Sequence, residues 1–302
     1  MSHIYIFSPS SAVRDKAAFR RGLQRLKAQG HEVEVDPSAL GSSMRFAGDD
    51  ATRVAAIARA AQSGADVAMI TRGGYGLTRL LTQLPYKRIS KAIDKGTQFV
   101  GLSDFTAFQL AVFSQVKSIT WQGPNLGEDF GCEGAPDEIM QACFDDLLLQ
   151  QGEGTGWRLP ALEANLQVSV NNATLWGGNL SVLTSLLGTP YFPKIKGGIL
   201  FLEDVGEHPY RIERMLTQLL NAGVLAQQKA ILFGQFTHYK LVPHDKGFKL
   251  NTVIERLRQL IKAPILTGLP FGHVPTKVLL PVGAKVDLAT QGRDAFLVWG
   301  HV

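Results

Sequence analysis

The sequence has few cysteines and no long apolar run, and each shortage excludes a class of protein. Cys132 and Cys143 are its only cysteines, and no histidine lies near them, so we expect neither a disulfide framework nor a zinc site. No apolar stretch approaches the length needed to span a membrane. Residues Met1–Phe7 resemble a first β-strand rather than a signal peptide, because no basic flank precedes a long apolar stretch. We therefore expect a cytoplasmic protein with two free thiols.

Basic clusters and metal-binding arrays are also missing. The 31 Lys and Arg residues outnumber the 26 Asp and Glu residues by five, but they are scattered along the chain, so nucleic-acid binding is not expected. Neither His-x-x-x-His nor Asp-x-Asp nor a phosphate-binding Gly-Lys-Ser/Thr motif occurs. The sequence therefore predicts no metal and no cofactor.

The composition, with 45% hydrophobic and 19% charged residues, is typical of a globular protein with a sizeable core. Strand and helix patterns alternate over residues 1–125, which predicts a parallel sheet covered on both faces. Residues 151–165 begin with a Gly-rich polar stretch and are the best candidate for a linker. We predict an N-terminal α/β domain over 1–150 and a β-rich, barrel-like α+β domain over 166–302.

The most informative segment runs from Gln98 to Ala107. It is predicted to be a short buried strand that turns abruptly into a helix, with Ser103 at the turn and Gly101 leaving room for the bend. A serine in that position has the geometry of a nucleophile elbow, although the second glycine of the usual Gly-x-Ser-x-Gly motif is missing. The alternative is that Ser103 only caps the helix.

The loop Arg72–Gly76, with the sequence Arg-Gly-Gly-Tyr-Gly, follows another predicted strand. Its three glycines allow backbone N–H groups to approach an anion closely. The loop could therefore form an oxyanion hole or, with Arg72, a cradle for a carboxylate. A tight turn with a surface arginine is the alternative.

Candidates for an acid and a base occur in the second half of the chain. Glu203 follows a strand that is apolar on both faces, although Asp204 and Glu207 are adjacent alternatives. His273 lies in a stiff loop flanked by glycine and proline, where a histidine could serve as a base or simply face solvent.

Together these motifs resemble the LD-carboxypeptidase family of serine peptidases, in the family's order and over nearly the whole chain. The matching segments are Phe46-Ala47-Gly48 with Arg53, Arg72–Gly76, Gly101-Leu102-Ser103-Asp104, Gly177-Gly178-Asn179-Leu180, Leu202-Glu203-Asp204 with Glu207, Pro209-Tyr210-Arg211, Gly234-Gln235-Phe236 and Gly272-His273. One position departs from the pattern: Gln122 stands where many relatives carry histidine, in a segment that lines the family's cleft.

The resemblance implies a Rossmann- or flavodoxin-like N-terminal domain, a β-rich C-terminal domain and an active site between them. It implies a triad of Ser103 as nucleophile, His273 as base and Glu203 as the acid that orients the histidine. The expected oxyanion donors are backbone N–H groups of Gly74 or Tyr75 and of Asp104.

Arg72, with Gly73 beside it, is the candidate for binding the substrate's terminal carboxylate, although Arg72 could instead brace the loop.

The function implied by the resemblance is that of a cytoplasmic muramoyltetrapeptide carboxypeptidase in peptidoglycan recycling. Such an enzyme hydrolyses the terminal L,D peptide bond of murein tetrapeptide and releases D-alanine. The third residue of the peptide, diaminopimelate or lysine, stays open, and relatives are often homodimers. One alternative is an immunity-type peptidase of the same family that cleaves a toxic peptidyl-nucleotide conjugate. Another is a noncatalytic module that binds cell-wall peptides.

Overall fold

The computed structural model describes residues 1–300 and divides the chain into two compact units. The first unit contains Met1–Gly152 together with two later segments, Gly188–Pro193 and Pro275–Gly283. The second contains Glu153–Leu187, Lys194–Val274 and the residues from Ala284 onward.

The regular structure of the described residues includes thirteen strands and eight α-helices, besides six short 3₁₀- or π-helical segments. The strands are β1 His3–Phe7, β2 Glu32–Val35, β3 Val67–Ile70, β4 Gln98–Gly101, β5 Thr120–Gln122, β6 Gly154–Arg158, β7 Ser169–Asn179, β8 Ile199–Val205, β9 Ala230–Thr237, β10 Ile265–Leu266, β11 Leu280–Val282, β12 Lys285–Gln291 and β13 Asp294–Val298. The helices are α1 Lys16–Ala28, α2 Asp50–Ala60, α3 Tyr86–Ile93, α4 Phe105–Val116, α5 Glu138–Leu149, α6 Leu180–Ser185, α7 Pro209–Asn221 and α8 Leu250–Leu260. None of these helices has the length and hydrophobicity needed to cross a lipid bilayer.

The sheet of the first unit has the order β11-β5-β4-β3-β1-β2. The five strands β1 to β5 are parallel, and their order 2-1-3-4-5 is that of a flavodoxin-like fold. Only β11, which comes from the C-terminal part of the chain, is antiparallel. Because β1, β3 and β4 are neighbours, the loops at their carboxyl ends lie side by side.

The sheet of the second unit has the order β10-β9-β8-β7-β12-β13-β6. Its first four strands are parallel and the remaining pairs are antiparallel. The predicted α/β class with a second, β-rich sheet is therefore confirmed. The second sheet is open, with β10 and β6 at its edges, so it does not close into a barrel.

Local structure departs from the sequence-based expectations at three places. The expected linker 151–165 contains strand β6, which pairs with β13 because its backbone completes the sheet edge. Strand β7 continues through Asn171-Asn172, although asparagine favours turns, with Asn172 at a φ of +50° and a register shift opposite. Helix α3 was not predicted, because only Ile89 and Ala92 are buried in its short, largely polar sequence.

The segment Pro275–Gly283 is fixed to the first unit by a buried ion pair. The side chain of Lys277 is 2% exposed and binds the Asp129 carboxylate, which is also almost fully buried. Asp129 additionally accepts the Asn125 N–H at 2.8 Å, and Thr276 donates to Asp137 at 2.6 Å. Burial raises the pKa of Asp129, and the ammonium of Lys277 opposes that rise. The pair therefore depends on both partners being present.

We predict that Lys277→Met destabilises the protein by about 3–5 kcal/mol, because it leaves the Asp129 carboxylate buried without a cation. The free energy of unfolding, measured by urea denaturation at pH 7, checks this value. Adding Asp129→Asn to Lys277→Met should recover part of the loss. Lys95→Met, at an exposed position, is the control and should change stability by less than about 0.5 kcal/mol. Equal stability of the two lysine variants would contradict the role given to this pair.

Candidate functional site

Ser103 lies at the turn between β4 and α4 in the first unit. Its φ is +68°, in the left-handed region that a side-chain-bearing residue adopts at an energetic cost. No side-chain oxygen caps α4, so the simple capping role considered for this serine is absent. The strained backbone and the abrupt strand-to-helix transition are the geometry of a nucleophile elbow.

The buried side chain of Asp104 holds this turn in place. The side chain is 2% exposed and accepts, at 2.9 Å, a hydrogen bond from the backbone N–H of Leu77, the residue that follows the loop Arg72–Gly76. Burial raises the pKa of Asp104, while the N–H groups of Leu77 and Gly76 and the charge of Arg53 favour the carboxylate. Asp104 therefore ties the residue after Ser103 to the end of the loop Arg72–Gly76.

The glycine loop packs directly on the serine. A methyl group added to Gly73 would lie 2.6 Å from Ser103 Cβ and 2.8 Å from Ser103 Oγ, closer than nonbonded atoms approach. A methyl group on Gly74, which has a φ of +108°, would lie 2.3 Å from Ser11 Oγ. Both positions therefore require glycine, and the backbone of residues 73–74 lies within reach of whatever Ser103 binds.

The expected oxyanion donors differ in their availability. The Tyr75 N–H donates to Ser11 Oγ at 3.0 Å and is thus already used within the first unit. No such partner is found among the described residues for the N–H groups of Gly74 and Asp104. Of the three donors predicted from sequence, Gly74 and Asp104 fit an oxyanion hole better than Tyr75.

Arg72 is half-buried, and its Nη1 atom is buried without a hydrogen-bond partner among the described residues. Burial lowers the pKa of its guanidinium, the carboxylate of Glu128 opposes this, and the charges of Arg14 and Arg45 add to it. An unpaired buried donor is costly, and a bound anion would satisfy it.

Gln122 is fully buried at the end of β5, and its amide donates to Thr106 Oγ1 at 2.9 Å. It thereby supports the first turn of α4, which follows Ser103. This position, which departs from the family pattern, therefore acts on the helix next to the nucleophile.

His273 and Glu203 form a hydrogen-bonded pair in the second unit. The distance from His273 Nδ1 to Glu203 Oε2 is 2.8 Å, the Glu203 side chain is fully buried and the His273 side chain is 14% exposed. Because a carboxylate only accepts hydrogen bonds, Nδ1 must carry the proton and Nε2 is left as the basic atom. The pair has the arrangement of the acid and base of a catalytic triad.

Two further side chains hold Glu203 in place. Asn179, at the end of β7, donates through Nδ2 to Glu203 Oε1 at 3.1 Å and to Asp204 Oδ1 at 3.0 Å. Asp204 in turn accepts the N–H groups of Ser181 at 2.9 Å and Val205 at 2.8 Å. Asn179 therefore bridges two neighbouring buried carboxylates and separates their charges.

The loop that carries His273 is fixed to β9 through its backbone. Gln235 N–H donates to Phe271 O at 2.8 Å, and the Gln235 amide donates to Leu269 O at 3.1 Å. Gly272 has a φ of +136°, and a methyl group there would lie 3.1 Å from Glu203 Oε2. A glycine at this position lets the loop cross close over the Glu203 carboxylate.

The structure thus places Arg72, Gly73, Gly74, Tyr75, Ser103 and Asp104 together in the first unit, and Glu203 with His273 in the second. Sequence reasoning did not assign roles to Ser11 or Asn179, and it considered Asp204 only as an alternative to Glu203. A polar residue directly after an apolar strand, as at Asn179, is the signal that could have identified one of them. No group of three or more His, Cys, Asp or Glu side chains within residues 1–300 is arranged to hold a metal ion.

The environment of Asp204 predicts that the free energy of unfolding depends on pH. Burial, followed by the charge of Glu203, raises the pKa of Asp204 to about 6. Because this pKa lies above the unfolded value, ionisation costs stability as the pH rises from about 4 to above 6. The cost reaches about 3 kcal/mol.

We therefore expect the free energy of unfolding of the wild type, relative to that of Asp204→Asn, to fall by about 3 kcal/mol between pH 4 and 7. Urea denaturation across this range measures it. Gln218→Ala, an exposed change on α7 that removes no titrating group, should follow the wild type. A pH-independent difference between wild type and Asp204→Asn would contradict the environment described for Asp204.

Comparisons with known proteins agree with this geometry. The profile of the LD-carboxypeptidase N-terminal domain matches residues 4–123, and that of the LD-carboxypeptidase C-terminal domain matches residues 172–288. A Bacillus subtilis protein described as a probable murein peptide carboxypeptidase is 30% identical over 276 residues, covering 91% of this chain and 85% of the relative. The microcin C7 self-immunity protein MccF of Escherichia coli is 25% identical over 252 residues, or 75% of this chain and 72% of that protein.

A solved structure is similar over almost the full length. The crystal structure of muramoyltetrapeptide carboxypeptidase from Oxalobacter formigenes has a TM-score of 0.88 and 37% sequence identity, and the match covers 99% of each chain. Both domain profiles and this full-length similarity lead to one conclusion: the chain belongs to the LD-carboxypeptidase family.

Proposed function

We propose that this protein is a serine-type LD-carboxypeptidase that removes the terminal D-alanine from murein tetrapeptide. The observation that carries the proposal is the 2.8 Å hydrogen bond between His273 and the fully buried Glu203. Such a pair has the properties of a general base with a fixed tautomer. We further propose that the enzyme acts in the cytoplasm, as a homodimer, in peptidoglycan recycling.

In the proposed mechanism, His273 Nε2 accepts the proton of the Ser103 hydroxyl as Ser103 Oγ attacks the carbonyl carbon of the scissile bond. Glu203 keeps the Nδ1 proton in place and stabilises the imidazolium that forms. The imidazolium then protonates the leaving amine, and D-alanine departs to leave an acyl-enzyme on Ser103. His273 next activates a water molecule, which releases the shortened peptide.

The developing oxyanion would be held by the backbone N–H groups of Gly74 and Asp104. Each such donor is worth about 3 kcal/mol of transition-state stabilisation. The contact of Gly73 with Ser103 and the tie from Asp104 to Leu77 both hold this backbone in place before substrate binds.

Arg72 is the proposed partner of the substrate's terminal carboxylate. Its guanidinium has a buried, unpaired Nη1 atom and lies next to Gly73 in the chain. A planar guanidinium can bind a carboxylate through two parallel hydrogen bonds, which suits an exopeptidase that recognises a free chain end.

Release of D-alanine from purified murein tetrapeptide tests the proposal, with Ser103→Ala as the critical variant. We expect wild-type protein to release D-alanine and Ser103→Ala to lower kcat by about 10⁴-fold or more without loss of folding. Ser185→Ala, at an exposed serine on α6, is the matched control and should keep wild-type kcat. A near-normal rate for Ser103→Ala would remove this residue from the nucleophile role, and no release by folded wild type would exclude the tetrapeptide.

Gly73→Ala tests the packing of the glycine loop on the nucleophile. The added methyl group would collide with Ser103 Oγ, so we expect kcat/KM to fall by roughly 10²-fold or more, since misplacing a reacting group by about 1 Å costs that much. Circular dichroism and the thermal midpoint check that the fold is intact. Gly156→Ala, on an edge strand with contacts no closer than 3.4 Å, should leave kcat/KM unchanged. Equal rates for both variants would show that Gly73 is not critical.

The second candidate is an immunity-type peptidase acting on a peptidyl-nucleotide conjugate. It is supported by the relative MccF and by Tyr75, whose ring is 46% exposed, packs at 6.0 Å from Phe46 and could stack on a base. Comparison of kcat/KM on murein tetrapeptide and on an aspartyl-nucleotide conjugate separates the two. A preference for the conjugate would favour the second candidate.

A further inference from the structure

Three loops at the carboxyl edge of the first sheet are interlocked around the glycine loop. The Ala12 N–H donates to Arg45 O at 3.0 Å, and the Tyr75 N–H donates to Ser11 Oγ at 3.0 Å. The Arg45 guanidinium lies 5.5 Å from the centroid of the Tyr75 ring. These contacts bring one arginine of each loop, namely Arg14, Arg45 and Arg72, to the same edge of the sheet.

We call Arg14, Arg45 and Arg72 the arginine cluster. Their charges act on one another, since Arg14 and Arg45 both disfavour the protonated form of Arg72. None of the three forms an ion pair with a carboxylate among the described residues, although Glu128 is near enough to offset part of the charge.

Some other arginines in the same unit are paired with carboxylates. Arg53 binds Asp50 at 2.6 Å, and Arg59 binds Asp36 at 2.7 Å. In the arginine cluster, by contrast, three like charges are held near one another beside the nucleophile turn without a matching set of acids. Such repulsion is relieved when an anion binds.

We propose that the arginine cluster selects peptides that carry a second carboxylate besides the one at the C-terminus. Arg72 takes the terminal carboxylate, and the exposed Arg14 and Arg45 bind a carboxylate on the acyl side of the scissile bond. This inference rests on the proposed carboxypeptidase function and adds a substrate class to it.

Two carboxylates of a murein tetrapeptide could fill this role. The γ-linked D-glutamate keeps its α-carboxylate free, and a diaminopimelate at the third position has a carboxylate on its side chain. A lysine at the third position has none. The chemistry that the arginines recognise is the same in both cases, so the substrates used in the test must distinguish them.

The test compares KM for three tetrapeptides: one with D-glutamate and diaminopimelate, one with the D-glutamate carboxylate amidated, and one with lysine for diaminopimelate. For wild-type protein we expect KM to rise roughly tenfold when the recognised carboxylate is removed, with kcat little changed. Which of the two altered peptides shows the rise identifies the carboxylate.

The variants Arg14→Gln and Arg45→Gln should raise KM for the full substrate by a similar factor. They should have little further effect on the peptide that lacks the recognised carboxylate, since the interaction is then already lost. Arg88→Gln, at an exposed arginine on α3, is the control and should leave KM unchanged.

Equal KM values for all three peptides with wild-type protein would overturn the inference, as would arginine variants that raise KM by the same factor on every peptide. Either result would leave D-alanine release intact. Failure of the proposed function is a different outcome, in which none of the three peptides is hydrolysed.

Discussion

The buried carboxylate of Glu203 is the constraint around which the second unit is organised. A charge with no exposure to water must be compensated by hydrogen-bond donors, and two side chains supply them: His273 on one oxygen and Asn179 on the other. Asn179 at the end of β7, Glu203 near the end of β8 and His273 in the loop after β10 therefore lie next to one another. Glycine is favoured at position 272 because its φ of +136° strains other residues and a side chain there would crowd the same carboxylate.

In the first unit, the surrounding contacts must stabilise a strained turn. Ser103 occupies a left-handed conformation, and such a residue persists only where its surroundings determine it. Two residues hold Ser103 in this conformation. Asp104 accepts a buried hydrogen bond from the Leu77 N–H, and Gly73 packs closely on the serine. Both interactions also place backbone N–H groups near Ser103, so the same contacts that stabilise the turn would prepare an oxyanion site.

The sequence was most informative where strand periodicity met polar residues. Alternation over residues 1–125 predicted the parallel sheet, and the strand-to-helix pattern around Ser103 predicted the turn that the structure contains. Periodicity could not predict that 275–283 returns to the first unit, because that depends on the long-range pairing of Lys277 with Asp129. Periodicity also could not decide whether Glu203 or Asp204 is the acid next to the histidine, since both are buried. The two differ in that Glu203 is hydrogen-bonded to His273. The hydrogen bond from the Tyr75 N–H to Ser11 could not be predicted either, because the two residues are 64 positions apart in the sequence.

In the proposed function, Ser103 is the nucleophile of a serine peptidase. Reaction with a serine-directed phosphonate, followed by intact-mass measurement and peptide mapping, tests it most directly. We expect one adduct per chain, located on Ser103 and formed more slowly when murein tetrapeptide is present in excess. An adduct at another residue, or no adduct on protein that still releases D-alanine, would contradict it.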